Sequence, residues 1–156
     1  PDIAVEPWIA DELVVFSAPN HPLANQNKVT MVQLLQQQWI LREKGSGTRA
    51  TFDRAFHNHH AEINIRLELE HTEAIKLAVE SGLGIGCISR LALKDAFQRG
   101  SLVPLATPSL ELGRYFYFLQ HKQKYQTTGI QAFLNLCKHY TADVERSDLV
   151  NLPEIA

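Results

Sequence analysis

The chain alternates between two hydrophobic periods, and that alternation constrains its fold more than any other feature. Residues 12–16 (Glu-Leu-Val-Val-Phe) are an apolar run of strand length, broken by Pro19-Asn20-His21-Pro22. Thr30 and Gln33 have capping-box spacing ahead of Leu34 and Leu35, which predicts a short helix from about Thr30. Residues 39–42 read as a strand, Gly45-Ser46-Gly47-Thr48 as a loop, and the next segment as a helix with Phe52, Ala55, Phe56 and His59 on one face. Residues 63–70 alternate as a half-exposed strand. Residues 72–81 form a helix buried through Ile75, Ala78 and Val79, with Gly82 as its stop. A buried strand at 85–88, a helix at 90–99 ended by Gly100, and a short edge strand at 102–105 follow. A strand at 113–120 and a helix at 128–140, with Ile130, Phe133, Leu134, Cys137 and Tyr140 on one face, complete the pattern. Strand–helix–strand alternation predicts an α/β sheet of largely parallel strands. Residues 141–156 carry no such period and read as an acidic tail or linker.

The 156 residues are enough for one ordinary domain, and a chain of this size buries about 70% of its extended surface without disulfide or metal. A hydrophobic fraction of 45% with 21% charged residues excludes a disordered chain and a coiled coil. The net charge of -2 is uneven. Residues 1–12 hold four acids and no base, residues 141–156 four acids and one base, and the span between them nine acids and fourteen bases. No dense Lys/Arg cluster appears, so the chain itself is a poor nucleic-acid binder. Its mildly basic middle suits a small anion better. Cys87 and Cys137 lie in apolar stretches and indicate no disulfide framework. With no 18-residue apolar run and no signal peptide, we expect a cytoplasmic protein without membrane contact. Without an initiator Met, we expect the chain to be a processed or cloned piece.

Gly45-Ser46-Gly47-Thr48-Arg49 joins a strand to a helix, at the end of an α/β sheet where ligands bind. The glycines admit a close ligand, the Ser46 and Thr48 hydroxyls and helix amides can grip an anion, and Arg49 can add a charge-assisted pair. The competing reading is a turn whose Ser or Thr caps its own helix. Thr72, next to Glu73, is the expected cap of the following helix, with or without a ligand contact. Gly82-Leu83-Gly84-Ile85-Gly86 resembles a nucleotide fingerprint in the wrong order, since its glycines close a helix and open a strand. It reads as a helix stop and a tight strand entry. His57, His59 and His60 lack the third ligand and carboxylate of a zinc site and read as a solvated helix end. No metal or cofactor is expected, and no catalytic residue, because no nucleophile elbow or placeable carboxylate pair is present.

Several segments together resemble one family. Residues 12–16 through His21-Pro22-Leu23-Ala24 resemble the strand and His-Pro-Leu turn of the effector-binding domain of LysR-type transcriptional regulators. Gly45–Arg49 is similar to that family's glycine-serine loop, residues 73–89 to its helix and Gly-x-Gly-Ile strand, and Gly100-Ser101-Leu102-Val103-Pro104-Leu105 to its closing strand. Tyr115-Phe116-Tyr117-Phe118 and the helix to Tyr140 resemble the return to its first lobe, so the likeness spans about residues 3–140.

The resemblance implies a type II periplasmic-binding-protein-like α/β fold, with one complete lobe plus a partial second lobe. Residues 1–11 would be partial first lobe and crossover, 12–107 the complete second lobe, 108–140 the return segment, and 141–156 the tail. It implies a small-molecule effector in the cleft between the lobes, with Ser46, Gly47, Thr48 and Thr72 lining it. We add Arg49 and Glu73 from their positions, and expect a carboxylate or an inorganic anion. DNA contact would come only through a winged helix-turn-helix that precedes this domain. Apolar faces left uncovered at residues 115–119 and around Phe133 predict self-association. Two rivals share the architecture. A transport solute-binding protein would need an export signal, and an enzyme would need a base at the cleft, for which only His71 and Glu73 offer themselves.

Overall fold

The computed structural model describes residues 2–152. Its strands are β1 (Ile3–Ser17), β2 (Gln38–Arg42), β3 (Asn64–Leu69), β4 (Ile85–Ser89), β5 (Val103–Pro104) and β6 (Gly113–His121). Its helices are α1 (Met31–Leu35), α2 (Gly47–Ala55), α3 (Thr72–Glu80), α4 (Arg90–Arg99) and α5 (Thr128–Thr141). The chain divides into a larger unit, Glu12–Gly113, and a smaller one made of the residues up to Asp11 and those from Arg114 on.

In the larger unit the strand order is β3-β2-β4-β1-β5. β2 pairs in parallel with both β3 and β4, whereas β1 runs antiparallel to β4 and to β5. The sheet is therefore mixed rather than largely parallel. Burial alone does not report direction: Leu13 to Phe16 are as buried as Ile85 to Ile88 of β4 beside them.

Alternation within each strand builds a core on both faces. Leu13 and Val15 of β1, Trp39 and Leu41 of β2, and Ile85 and Cys87 of β4 pack with Phe52 and Phe56 from α2 and its C-cap. Val14, Phe16, Ile40 and Ile88 pack on the other face with Ile75 and Val79 of α3 and Leu93 and Ala96 of α4. Trp39 touches Phe52 and Phe56 edge-on at centroid distances of 5.0 and 5.4 Å, arrangements favoured by ring quadrupoles. The capping box at Thr30 forms as expected, with Thr30 and Gln33 bonding reciprocally.

The glycine block confirms a helix stop and a tight strand entry. Gly82 takes φ +79°. Leu83 N–H donates to the Ala78 carbonyl and Gly82 N–H to that of Val79, a Schellman closure. A Cβ on Gly86 would stand 2.7 Å from the fully buried Phe16 ring, and one on Gly84 would overlap the Gln38 carbonyl oxygen of β2. These glycines serve the turn and the packing around it.

Four expectations about individual segments also need correction. β1 begins at Ile3, not at residue 12; its first half is mostly exposed and paired with β6, and Glu6-Pro7 divides its apolar residues into two short groups with no strand period. α2 ends at Ala55, so His59 is not on a helical face; its ring pairs with Glu62 at 2.8 Å. Residues 108–113 belong to the larger unit, because Leu112 is in its core, Leu110 packs against that core, and Leu13 N–H donates to the Leu112 carbonyl at 2.8 Å. Residues 141–152 are not a tail. α5 runs to Thr141, Ser147–Leu149 form a 3-10 turn, Arg146 bridges to Ala10, and the buried Ser147 hydroxyl donates to Asp11 at 2.7 Å. The remainder of that expected tail, residues 153–156, lies outside the described residues.

In the smaller unit β6 pairs with β1. Arg114 reaches Asp11, and Lys122 N–H reaches the Asp2 carbonyl, so the two strands run antiparallel. Trp8 stacks on Phe118 at 4.9 Å and donates its indole N–H to Thr141, which holds α5 to the strand pair.

Candidate functional site

Three parallel or co-directed strands of the larger unit end on one edge, and each feeds a helix: β2 into α2, β3 into α3, and β4 into α4. From β2 the chain moves outward to β3 through α2, on one face. From β4 it moves the other way to β5 through α4, on the opposite face. The connections thus diverge between the neighbouring strands β2 and β4, which makes the crevice at their carboxyl ends the topological switch point where α/β sheets bind ligands. Trp39 pairs with Ile85 and Ile40 with Gly86, which fixes the register of the two strands that flank this crevice.

On the β2 side stands the glycine-serine loop. Ser46 caps α2 by accepting the Arg49 N–H at 3.0 Å, Gly47 opens the helix, and Thr48 is buried in its first turn. Gly45 takes φ +96°, a conformation open to glycine but costly for other residues, and turns the chain from strand to helix. The serine caps its own helix, as the competing reading of this loop expects, and that helix starts at the edge where the switch point lies.

The Arg49 side chain is engaged with protein groups. It is buried; its Nε donates to Asp53 at 2.9 Å, and its Nη1 to Glu68 at 2.8 Å and to the Arg42 carbonyl at 3.0 Å. Burial works against its charge, but the bonds to Glu68 and Asp53 outweigh that and raise its pKa above the ordinary value. Arg42 and Glu43 form a two-pronged pair at 2.8 and 2.9 Å; that bond raises the arginine's pKa and lowers the carboxyl's. Arg42 and Arg49 are thus both paired with carboxylates of the protein.

Thr72 is the first residue of α3 and not its cap. The cap position is His71, whose side chain makes no capping bond, so the helix starts without side-chain satisfaction of its first amides. Glu73 is exposed and accepts from Lys76 at 3.1 Å. Ser46, Gly47, Thr48 and Thr72 therefore share one sheet edge, while Arg49 and Glu73 are engaged with neighbouring side chains.

Sequence reasoning missed the β4 side. Ser89 caps α4 through Leu91 N–H at 3.2 Å, and Arg90 pairs with Glu12 at 3.3 Å. The signal was present: a serine directly ahead of a helix, as at Ser46, here also closing a buried strand. A recess of about 400 Å³ adjoins Arg90, lined also by Glu12, Asn27 and Thr107. Among the described residues no group of three His, Cys, Asp or Glu is placed to hold a metal. Among them, too, no helix is long and apolar enough to cross a membrane.

Comparison with known proteins agrees with this geometry. The family described as LysR substrate binding domain matches residues 1–142. The chain is 44% identical over 136 residues to YeiE, an uncharacterized HTH-type transcriptional regulator of Escherichia coli strain K12, covering 87% of this chain and 46% of that protein. It is 32% identical over 134 residues to the HTH-type transcriptional activator CmpR of Synechocystis, with 86% and 44% covered. The chain thus spans about half the length of these relatives. Its fold superimposes on the regulatory domain of CcmR from Synechocystis, solved in complex with 2-PG, with a TM-score of 0.83 at 32% identity, covering 94% of this chain and 70% of that one. The effector binding domain of QuiR, solved with shikimate, shares the fold at TM-score 0.78 and 24% identity, with 92% and 68% covered. A family match across most of the chain, a relative at 44% identity and an α/β fold of matching topology place this chain in the LysR substrate-binding domain family.

Proposed function

We propose that this chain is the effector-sensing part of a LysR-type transcription regulator. It binds a small anionic metabolite, a carboxylate or a phosphate, at the carboxyl edge of the larger unit. The observation that carries the reading is the switch point between β2 and β4, framed by the Ser46- and Ser89-capped helices. Ser46, Gly47, Thr48 and Thr72 are the proposed contacts, with Ser89 added. Arg49 and Glu73, engaged with protein groups, act behind them.

Support for a phosphate or carboxylate comes from relatives: CcmR was solved with 2-PG and QuiR with shikimate. The relatives' names, transcriptional regulators throughout, favour sensing over transport or catalysis. Ligand binding then favours one conformation of the whole regulator by its higher affinity for that state. DNA contact belongs to a part of the regulator outside this chain, in the cytoplasm. Self-association through the smaller unit's apolar face completes the proposal.

Calorimetric titration with 2-PG, shikimate and inorganic phosphate tests it. Saturable binding by the wild type, weakened on the order of tenfold in Ser46→Ala and Thr48→Val, is expected from loss of a hydrogen bond to a charged group. No heat with any small phosphate or carboxylate would overturn it.

A further inference from the structure

We propose that Arg49 and Glu68 are positioning residues: they lock the Ser46 loop to the edge of the sheet without touching the ligand. What the loop is held for rests on the proposed function; the lock itself is a property of the unliganded chain.

The Arg49 guanidinium joins three elements. It meets Asp53 one turn further along α2, Glu68 on β3 and the carbonyl of Arg42, the last residue of β2. One buried group thus grips the chain on both sides of the loop, at residue 42 before it and residue 49 after it. Glu68 anchors that guanidinium from the neighbouring strand. Its carboxyl lies below the ordinary range, chiefly through the Arg49 bond, with the backbone amide of Lys44 adding to the effect.

The loop needs such a hold. Gly45 and Gly47 leave its backbone more freedom than any other residue type would, and ordering it at the moment of binding would cost affinity. A planar five-donor fork suits the task, since it bonds several fixed acceptors at once; a lysine ammonium in its place is a point charge on a flexible stem. Charge counting agrees: one guanidinium faces two carboxylates, so the cluster offers no surplus positive charge to an anion.

Amide hydrogen exchange on the unliganded wild type, Glu68→Gln and Arg49→Lys tests the lock. Glu68 is a partly exposed residue on an edge strand, so its variant folds whatever becomes of Arg49→Lys. In both variants amides 45–50 should exchange on the order of tenfold faster, while those of β4 keep their wild-type rates. Unchanged exchange at 45–50, or an equal rise in β4, would overturn the lock and leave Arg49 as a general stabiliser. Inorganic phosphate, titrated into the same proteins, separates the two readings. If the wild type takes up phosphate, the variants should bind it several-fold more weakly, and equal affinity in all three counts against the lock. If the wild type takes up none, the ligand reading fails, while the exchange pattern still decides the lock.

Discussion

Ser46 shows how much one side chain can carry at this edge. Its hydroxyl accepts the Arg49 N–H and so starts α2 at the loop's end. Ser46→Ala should cost about 1 kcal/mol in urea denaturation, the usual worth of a lost N-cap, and Ser46→Asp should restore most of it. Gly86 carries a different constraint. Gly86→Ala forces the buried Phe16 ring or β4 to shift, at a cost of about 1–3 kcal/mol, and an unchanged denaturation midpoint would contradict that packing. Of these residues, Gly82 was legible as a helix stop because chemistry and position coincide there. Arg49 was not. Its place after a glycine-serine loop suggested an anion partner, whereas its partners Glu68 and Arg42 come from strands whose pairing no local pattern reports.

Elements were legible where one face repeats. The helices α3, α4 and α5 follow an apolar period, and the buried half of β1 and the strand β4 are continuous apolar runs. The first half of β1 and the segment at 144–149 do not, because strand pairing and polar side chains hold them. Asp11 illustrates this. Buried in the smaller unit, it receives Arg114 Nε at 2.6 Å and the Ser147 hydroxyl at 2.7 Å. Ser147→Ala removes one of those donors from a buried carboxylate and should cost about 1–3 kcal/mol by calorimetry. A loss near zero would mean that residues 144–149 are the loose tail their composition suggested. The turn after β1 answers to pH. Burial depresses the His21 pKa below its ordinary 6.5, a hydrogen bond with Gln37 opposing, and its ring Nδ1 accepts Leu23 N–H at 3.1 Å. A depressed folded pKa means that the unfolded chain binds the proton more tightly. The stability from this residue is therefore complete above about 6.5 and is lost as pH falls through the folded value. Wild-type melting temperature should drop between pH 7 and 5 more than that of His21→Asn, which keeps a short acceptor for the turn without titrating. Parallel curves would exclude a role for His21.

Over the whole molecule, the two units differ in how fully they cover their apolar surface. The larger unit buries both faces of its sheet. The smaller one leaves Tyr115, Tyr117, Leu119, Phe133 and Leu136 more than half exposed. A patch of that kind favours association. Light scattering should therefore show a species larger than 17.6 kDa that Leu119→Glu shifts toward monomer, and a clean wild-type monomer would contradict it. The fold class was legible at this scale because the helix and strand periods alternate along most of the chain, and the family because several motifs fall in order. The switch point was not legible, since it depends on strand order. The most direct measurement of the central claim is a titration of the chain with 2-PG and with inorganic phosphate, followed residue by residue through amide chemical shifts. The account predicts saturable shifts gathered at residues 45–48, 71–73 and 89–90. Shifts confined to the recess at residues 105–112, or none at any concentration, would contradict it.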